Sequence, residues 1–410
     1  MVNLWLLTFS VTLFGIGNGL SGVAMPQKGL VLGFTSAQQG FVGTLIPLGY
    51  ALGCFGLGKL LRSVTGKFVV CAGLLGAWLA FLMMAQADTV FTCALSSLLY
   101  GLCCGAFWPF SSAWCLDFQT EGIAKTRILR HYNVGWTSGT ALGSFAGGQL
   151  CGLPLDKALD AVNLAFYAGA GVMACNLLLA CAAKATRNSL DEPAAADGPV
   201  SLAQRVSLAL LAAAVAANVL IIASRMSLGV TYPELNKLLG GDPERMGSLA
   251  AASIAGQMLA FLLGHMYEPY LGMRRLYVFM GASLIVLNLG FAFASSPPLL
   301  LACGVLLGVA AAVGFQTAIL AAIGYFRLPR AGTVFHETVI GLAGVSPLAS
   351  GFLVSSLKEQ GWSAPAALQA PFVAVAVLAA LALIFQLALI SRRMESRKLL
   401  PRGMLPGEGA

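Results

Sequence analysis

The chain has 410 residues, of which 58% are hydrophobic and only 10% charged, where a soluble domain carries roughly 25% charged residues. Too few polar side chains remain to cover a water-facing surface, so a soluble globular protein is excluded and a lipid-embedded one is expected. The net charge of +8 forms no continuous basic arm, which excludes a nucleic-acid-binding tail; the charges sit in short clusters between apolar runs.

Crossing an apolar core of roughly 30 Å takes about 20 helical residues. In chain order, apolar runs of that kind cover 3–24, 38–60, 67–86, 89–114, 131–151 and 160–183, and then 205–228, 245–266, 274–294, 298–325, 335–357 and 366–391. The stretch Met1 to Leu7 carries no positive charge, so the first run reads as a spanning helix rather than a cleaved leader. Between the sixth and seventh runs, residues 184–204 are polar and contain Pro193 and Pro199, the composition of a linker. The expected organisation is an N-terminal bundle over 1–183, a cytoplasmic linker over 184–204, a C-terminal bundle over 205–392 and a cytoplasmic tail over 393–410.

Lysine and arginine alternate in abundance from loop to loop. All but Lys28, Lys157, Lys237, Arg245, Lys358 and the intrahelical Arg225 fall on one side, which by the positive-inside rule makes both termini cytoplasmic. Most of the ten cysteines lie inside apolar runs and none forms a C-x-x-C pair, so they read as packing residues rather than disulfides or metal ligands.

The two sets of runs echo one another at a nearly constant spacing. Gly58-x7-Gly66-Lys67 returns as Gly264-x7-Gly272 followed by Arg274-Arg275, Gly101-x3-Gly105 as Gly304-x3-Gly308, and His131-x7-Gly139 as His336-x7-Gly344. An internal duplication explains all three. Twelve helices, a central polar linker and a parallel six-helix repeat resemble the major facilitator superfamily. The resemblance implies an all-α integral membrane protein with twelve transmembrane helices in two pseudo-symmetric six-helix bundles.

The family's loop between helices two and three reads G-x-x-x-D-R-x-G-R-K. Here Gly58 to Lys67 keeps the glycines and basic residues but lacks the acid, while the counterpart Gly264 to Gly272 keeps an acid at Glu268. In helix five, Gly139-x3-Gly143-Ser144-x2-Gly147-Gly148 is similar to the family's antiporter signature G-x3-G-P-x2-G-G, with serine for proline. Glycines at that spacing bare a helix face on which another helix slides or simply packs closely. Ser346-Pro347-x2-Ser350-Gly351 is a weaker echo in helix eleven. Ser97 stands where proton-coupled drug exporters often carry arginine, and the first helix has no acid, which argues against a standard proton–multidrug antiporter.

A charge inside a spanning run is costly and marks a functional candidate. Arg225 is the clearest. It follows Arg205 by about 30 Å of helix, which places it near the outer mouth, either as a cationic anchor for an anionic group or as a side chain reaching the outer headgroups. The resemblance implies that helices one, four, seven and ten line a central cavity, so Asn18, Trp108, Arg225 and Gln316 are substrate-binding candidates. Tyr50 and Gln257, at matching positions in helices two and eight, form a second rank. Candidates for proton coupling are His336 and Glu337 at the start of helix eleven, His131 at the start of helix five and Asp117 at the end of helix four, all read at the cytoplasmic boundary. The alternative for His336 and Glu337 is a helix start capped by Thr333.

The three histidines come with no nucleophile elbow, phosphate loop or metal-ligand spacing, so no enzymatic activity is expected, and neither a cofactor nor a metal. The functional expectation is secondary active transport of a small organic solute, with export or antiport ahead of uptake of a sugar or organic anion. A non-transporting membrane sensor or scaffold is the reading from a different class. The expected partners are the substrate, the lipid bilayer and a coupling proton, with no nucleic acid, in a monomer of a bacterial inner membrane.

Overall fold

The structure is a computed structural model that describes residues 2–60, 66–116, 125–183, 208–267, 274–293, 296–326 and 329–389. The linker expected at 184–204, the tail expected at 393–410 and Asp117 lie outside the described residues.

The described chain is helical: α1 (Val2–Val31), α2 (Ser36–Leu60), α3 (Gly66–Gln86), α4 (Val90–Leu116), α5 (Lys125–Cys151), α6 (Ala158–Ala182), α7 (Leu208–Leu238), α8 (Pro243–Leu262), α9 (Gly264–Tyr267), α10 (Arg274–Phe293), α11 (Pro297–Phe326), α12 (Pro329–Ala343), α13 (Ser346–Glu359) and α14 (Ala364–Leu389). The single turn α9 crosses nothing, and α12 with α13 makes one path, so twelve helical crossings result. The break at Gly344–Val345 has a local cause. Pro347 sits in the first turn of α13 and has no N–H to offer the carbonyl of Ala343, so the ladder is interrupted there.

Among the described residues, nine helical stretches are long and apolar enough to span a membrane, with Gly332–Glu359 counted as one. The other three crossings, α2, α5 and α8, are the helices that meet across the molecule. Many of their glycines and polar residues, among them Gly40, Thr44, Gly143, Ser144, Gly247 and Gln257, are buried against protein, which lowers the hydropathy of these helices.

Buried apolar side chains form two main clusters. One is built from residues of α1 to α6 around the stacked rings of Phe14 and Phe107, whose centroids are 3.9 Å apart. The other is built from α7 to α14, joined by Val23 of α1. Lipid is as apolar as these side chains, so close packing rather than exclusion of water holds each cluster together.

Two helices run further than their sequence suggests. The first run was expected to end at 24 and the seventh at 228, but α1 continues through Pro26 to Val31 and α7 through Pro233 to Leu238. The polar residues that look like loop are satisfied inside the protein, which is what lets a helix persist in an apolar layer. Lys28, expected in an outer loop, is fully buried. Its Nζ donates to the carbonyls of Met84 at 2.6 Å and Ala85 at 3.0 Å, in the last turn of α3, and to Asn163 Oδ1 at 2.9 Å. The cation also lies 5.5 Å from the centre of the Phe166 ring. Lys67 does the same at the other end of the molecule, donating to the carbonyls of Cys181 and Ala183 where α6 ends. Each ammonium meets the partial negative charge of a helix C-terminus.

Candidate functional site

The length of α7 changes the position of Arg225. With the helix running from Leu208 to Leu238, Arg225 lies near its middle. Its Nη1 donates to Gln257 Oε1 of α8 at 2.7 Å. Gln257 is itself buried. Arg225 forms no ion pair among the described residues. The preceding residue, Ser224, donates to Asn288 Oδ1 of α10 at 2.9 Å, which fixes the rotation of α7 and aims Arg225 toward α8.

One turn along α8 from Gln257, on the same face, stands Phe261. Its ring centre is 6.1 Å from that of Trp136 in α5 and 6.1 Å from that of Phe315 in α11. Trp136 lies 6.2 Å from Trp108, and Trp108 lies 5.1 Å from Phe14. The row therefore runs from one half of the chain into the other. Trp108, Trp136 and Phe315 are half-buried, as are Asn18, Arg225 and Gln316. Gln316 Oε1 is buried without a hydrogen-bond partner. Asn18 lies one turn beyond Phe14 on α1.

A second polar group lies between α2, α7 and α12. The Tyr50 hydroxyl donates to Glu337 Oε2. Glu337 Oε1 is 3.5 Å from His336 Nδ1, and His336 Nε2 is 3.3 Å from Asn218 Nδ2. Phe315 packs edge-on against the His336 ring, with centroids 4.7 Å apart. The sequence reading puts His336 and Glu337 at the start of helix eleven as proton-coupling candidates, with a helix start capped by Thr333 as the alternative. Instead α12 begins at Pro329, because proline suits the first turn of a helix, and His336 is only 2% exposed. Capping does not explain either residue. His131 stands apart from this group, against Trp5 with ring centres 5.8 Å apart.

The halves meet along two seams. In one, α5 packs on α8, and a Cβ added at Gly148 would lie 2.8 Å from Gly247 Cα. In the other, α2 packs on α12 and α13: the Leu348 N–H donates to Thr44 Oγ1 at 2.9 Å and the Ala37 N–H to Ser355 Oγ at 3.0 Å. At the end away from the chain termini, Ser36 donates to Glu234 Oε2 at 3.0 Å, and Lys358 pairs with Glu234 Oε1. The termini-distal ends of the halves are thus closed on each other. Of the helix-five glycines, Gly139 and Gly143 lie against the α1 backbone at Thr12 and Ile16, and Gly147 against Leu20 and Val23. Only Gly148 faces the other half.

Sequence reasoning named Arg225, Gln257, Trp108, Gln316, Asn18, Tyr50, His336 and Glu337, and missed Asn218, Trp136, Phe261, Phe315, Glu234 and Lys358. Glu234 lies beyond the seventh apolar run, which ends at 228, and reads there as a loop acid, so it gave no signal. The rings offered none, since aromatic residues are ordinary in such helices. Among the described residues no group of His, Cys, Asp and Glu is placed to hold a metal ion.

The sequence model of the Major Facilitator Superfamily matches residues 7–335. The chain belongs to that superfamily. Superfamily membership makes it a membrane transporter of small solutes rather than an enzyme. No curated protein sequence matches the chain. Among solved structures, a point mutant of the nucleoside transporter NupG superposes with a TM-score of 0.74 at 14% identity, covering 95% of this chain and 100% of its own. A bacterial homolog of the human lysosomal transporter Spinster, inward-facing and unoccupied, gives 0.73 at 15% identity, with 98% of each chain covered. A point mutant of the E. coli fucose:proton symporter FucP gives 0.63 at 14% identity, covering 95% of this chain and 99% of its own. At these identities the superfamily fold is shared and the substrate is not implied.

Proposed function

We propose that this superfamily member is a proton-coupled transporter of a small organic anion, working by alternating access between its two halves. The observation that carries the reading is Arg225, a cation mid-way along α7 with an amide partner and no carboxylate paired to it among the described residues. An uncompensated charge in the membrane interior is costly, and an incoming anion would supply the missing countercharge with a charge-assisted, bidentate hydrogen bond. Glu337, tied to Tyr50 across the seam, is a titratable group at a contact between the halves and supports proton coupling. Antiport, favoured by the helix-five glycines, loses that support because Gly139, Gly143 and Gly147 pack within one half. With the termini cytoplasmic, as the distribution of Lys and Arg expects, the closed end faces outward.

The test is uptake into proteoliposomes under an imposed pH gradient, acid outside, against a panel of organic acids, sugars, amino acids and lipophilic cations. Accumulation of an organic acid driven by the gradient supports the reading. Gradient-independent movement, or transport confined to lipophilic cations, refutes it.

A further inference from the structure

Resting on the anion reading above, we infer that the substrate carries its negative charge on a flat, aromatic body, which makes it a small aromatic acid. The hydrogen bonds already made by the polar groups around Arg225's partner Gln257 and the ring row beside it decide which ligands fit. Trp136 spends its indole N–H on Asn133 Oδ1 at 3.1 Å, so its ring offers a ligand only π surface. The Tyr132 hydroxyl lies within hydrogen-bond distance of Ser111 Oγ and the Trp108 carbonyl. His336 and Tyr50 are engaged with Asn218 and Glu337. The groups left over are the remaining N–H groups of Arg225, the amides of Gln316 and Asn18 and the indole N–H of Trp108, with Gln316 Oε1 buried and unpartnered.

A polyhydroxylated solute such as a sugar needs a partner for each hydroxyl, because a polar group buried without one is penalised. This site offers few beside its cation, chiefly the amides of Asn18 and Gln316 and the Trp108 indole N–H. It also has half-buried rings: Trp136 and Phe315 stand one helical turn and one ring contact from the guanidinium's partner Gln257, and Trp108 one ring further along. Aromatic faces and edges recognise another ring better than a saturated one of equal size. A carboxylate on Arg225 with its ring laid into this row uses both features at once.

The experiment compares three probes of matched size on the purified full-length chain, by titrating its tryptophan fluorescence: benzoate, cyclohexanecarboxylate and benzamide. The saturated acid is at least as apolar as benzoate and carries the same charge. The expected result is benzoate binding tighter than cyclohexanecarboxylate by roughly two- to tenfold, with benzamide weaker than either acid. The benzoate preference should fall to near one in Trp136→Leu and persist in Trp136→Phe, which keeps a ring. Equal or tighter binding of the saturated acid, or a preference untouched by Trp136→Leu, overturns the aromatic inference and leaves the anion reading standing. Benzamide binding as well as benzoate overturns the anion reading, and so does failure of both acids to bind.

Discussion

Gly148 and Gly247 face each other across the seam between the halves, each where an added methyl group would lie less than 3 Å from the other's Cα, at 2.8 and 2.7 Å. Both neighbours are backbone, so the contact cannot relax by moving a side chain. The close approach closes the termini-distal end and depends on two absent side chains rather than on an attractive group.

Gly148→Leu should therefore wedge the termini-distal end open. Single cysteines placed at the termini-distal ends of α5 and α8 should react faster with a membrane-impermeant thiol reagent in this variant. An unchanged rate would show that the seam is not the barrier to outside access. Gly143→Leu is a contrasting control, because it meets the Ile16 backbone within its own half. It should lower thermal stability by about 1–3 kcal/mol, the usual cost of overpacking, without raising reagent access.

Glu337→Gln removes the carboxyl group that accepts from Tyr50 while keeping a hydrogen-bond acceptor. Gradient-driven accumulation should be lost, whereas exchange of labelled for unlabelled substrate at equal pH should survive, since exchange needs no net proton movement. His336→Ala should shift the pH profile of transport through its contact with Glu337. Retained accumulation in Glu337→Gln would remove this group from coupling.

Lys28→Met keeps the length of a buried side chain but leaves the carbonyls of Met84 and Ala85 and the Asn163 amide without their donor. Each unsatisfied buried group costs about 1–3 kcal/mol, so the melting temperature should fall markedly while the folded fraction still binds substrate. A variant that melts like the parent chain would show that water replaces the ammonium.

Much of the architecture was legible in the sequence because lipid forces it: apolar runs of spanning length, a basic bias from loop to loop and the repeated glycine spacings together identify the superfamily. Helix ends were harder. Gln27, Lys28 and Glu234 look like loop residues until their partners are known, and those partners, among them Asn163, Lys358 and Ser36, lie far away along the chain. The place of Arg225 within its helix changed for the same reason, from near the end of a run closing at 228 to the middle of α7. Its pairing with Gln257, and Tyr50's with Glu337, are contacts between helices that no periodicity within one helix encodes.

The most direct test of the central claim is thermal unfolding of the detergent-purified chain with benzoate, in the parent and in Arg225→Gln. At 100 times its dissociation constant, a ligand of the folded form should stabilise the parent by roughly 2.7 kcal/mol. The account predicts that this shift disappears in Arg225→Gln, while the unliganded variant melts at or above the parent because an uncompensated buried cation has gone. Equal stabilisation of parent and variant by benzoate would contradict it.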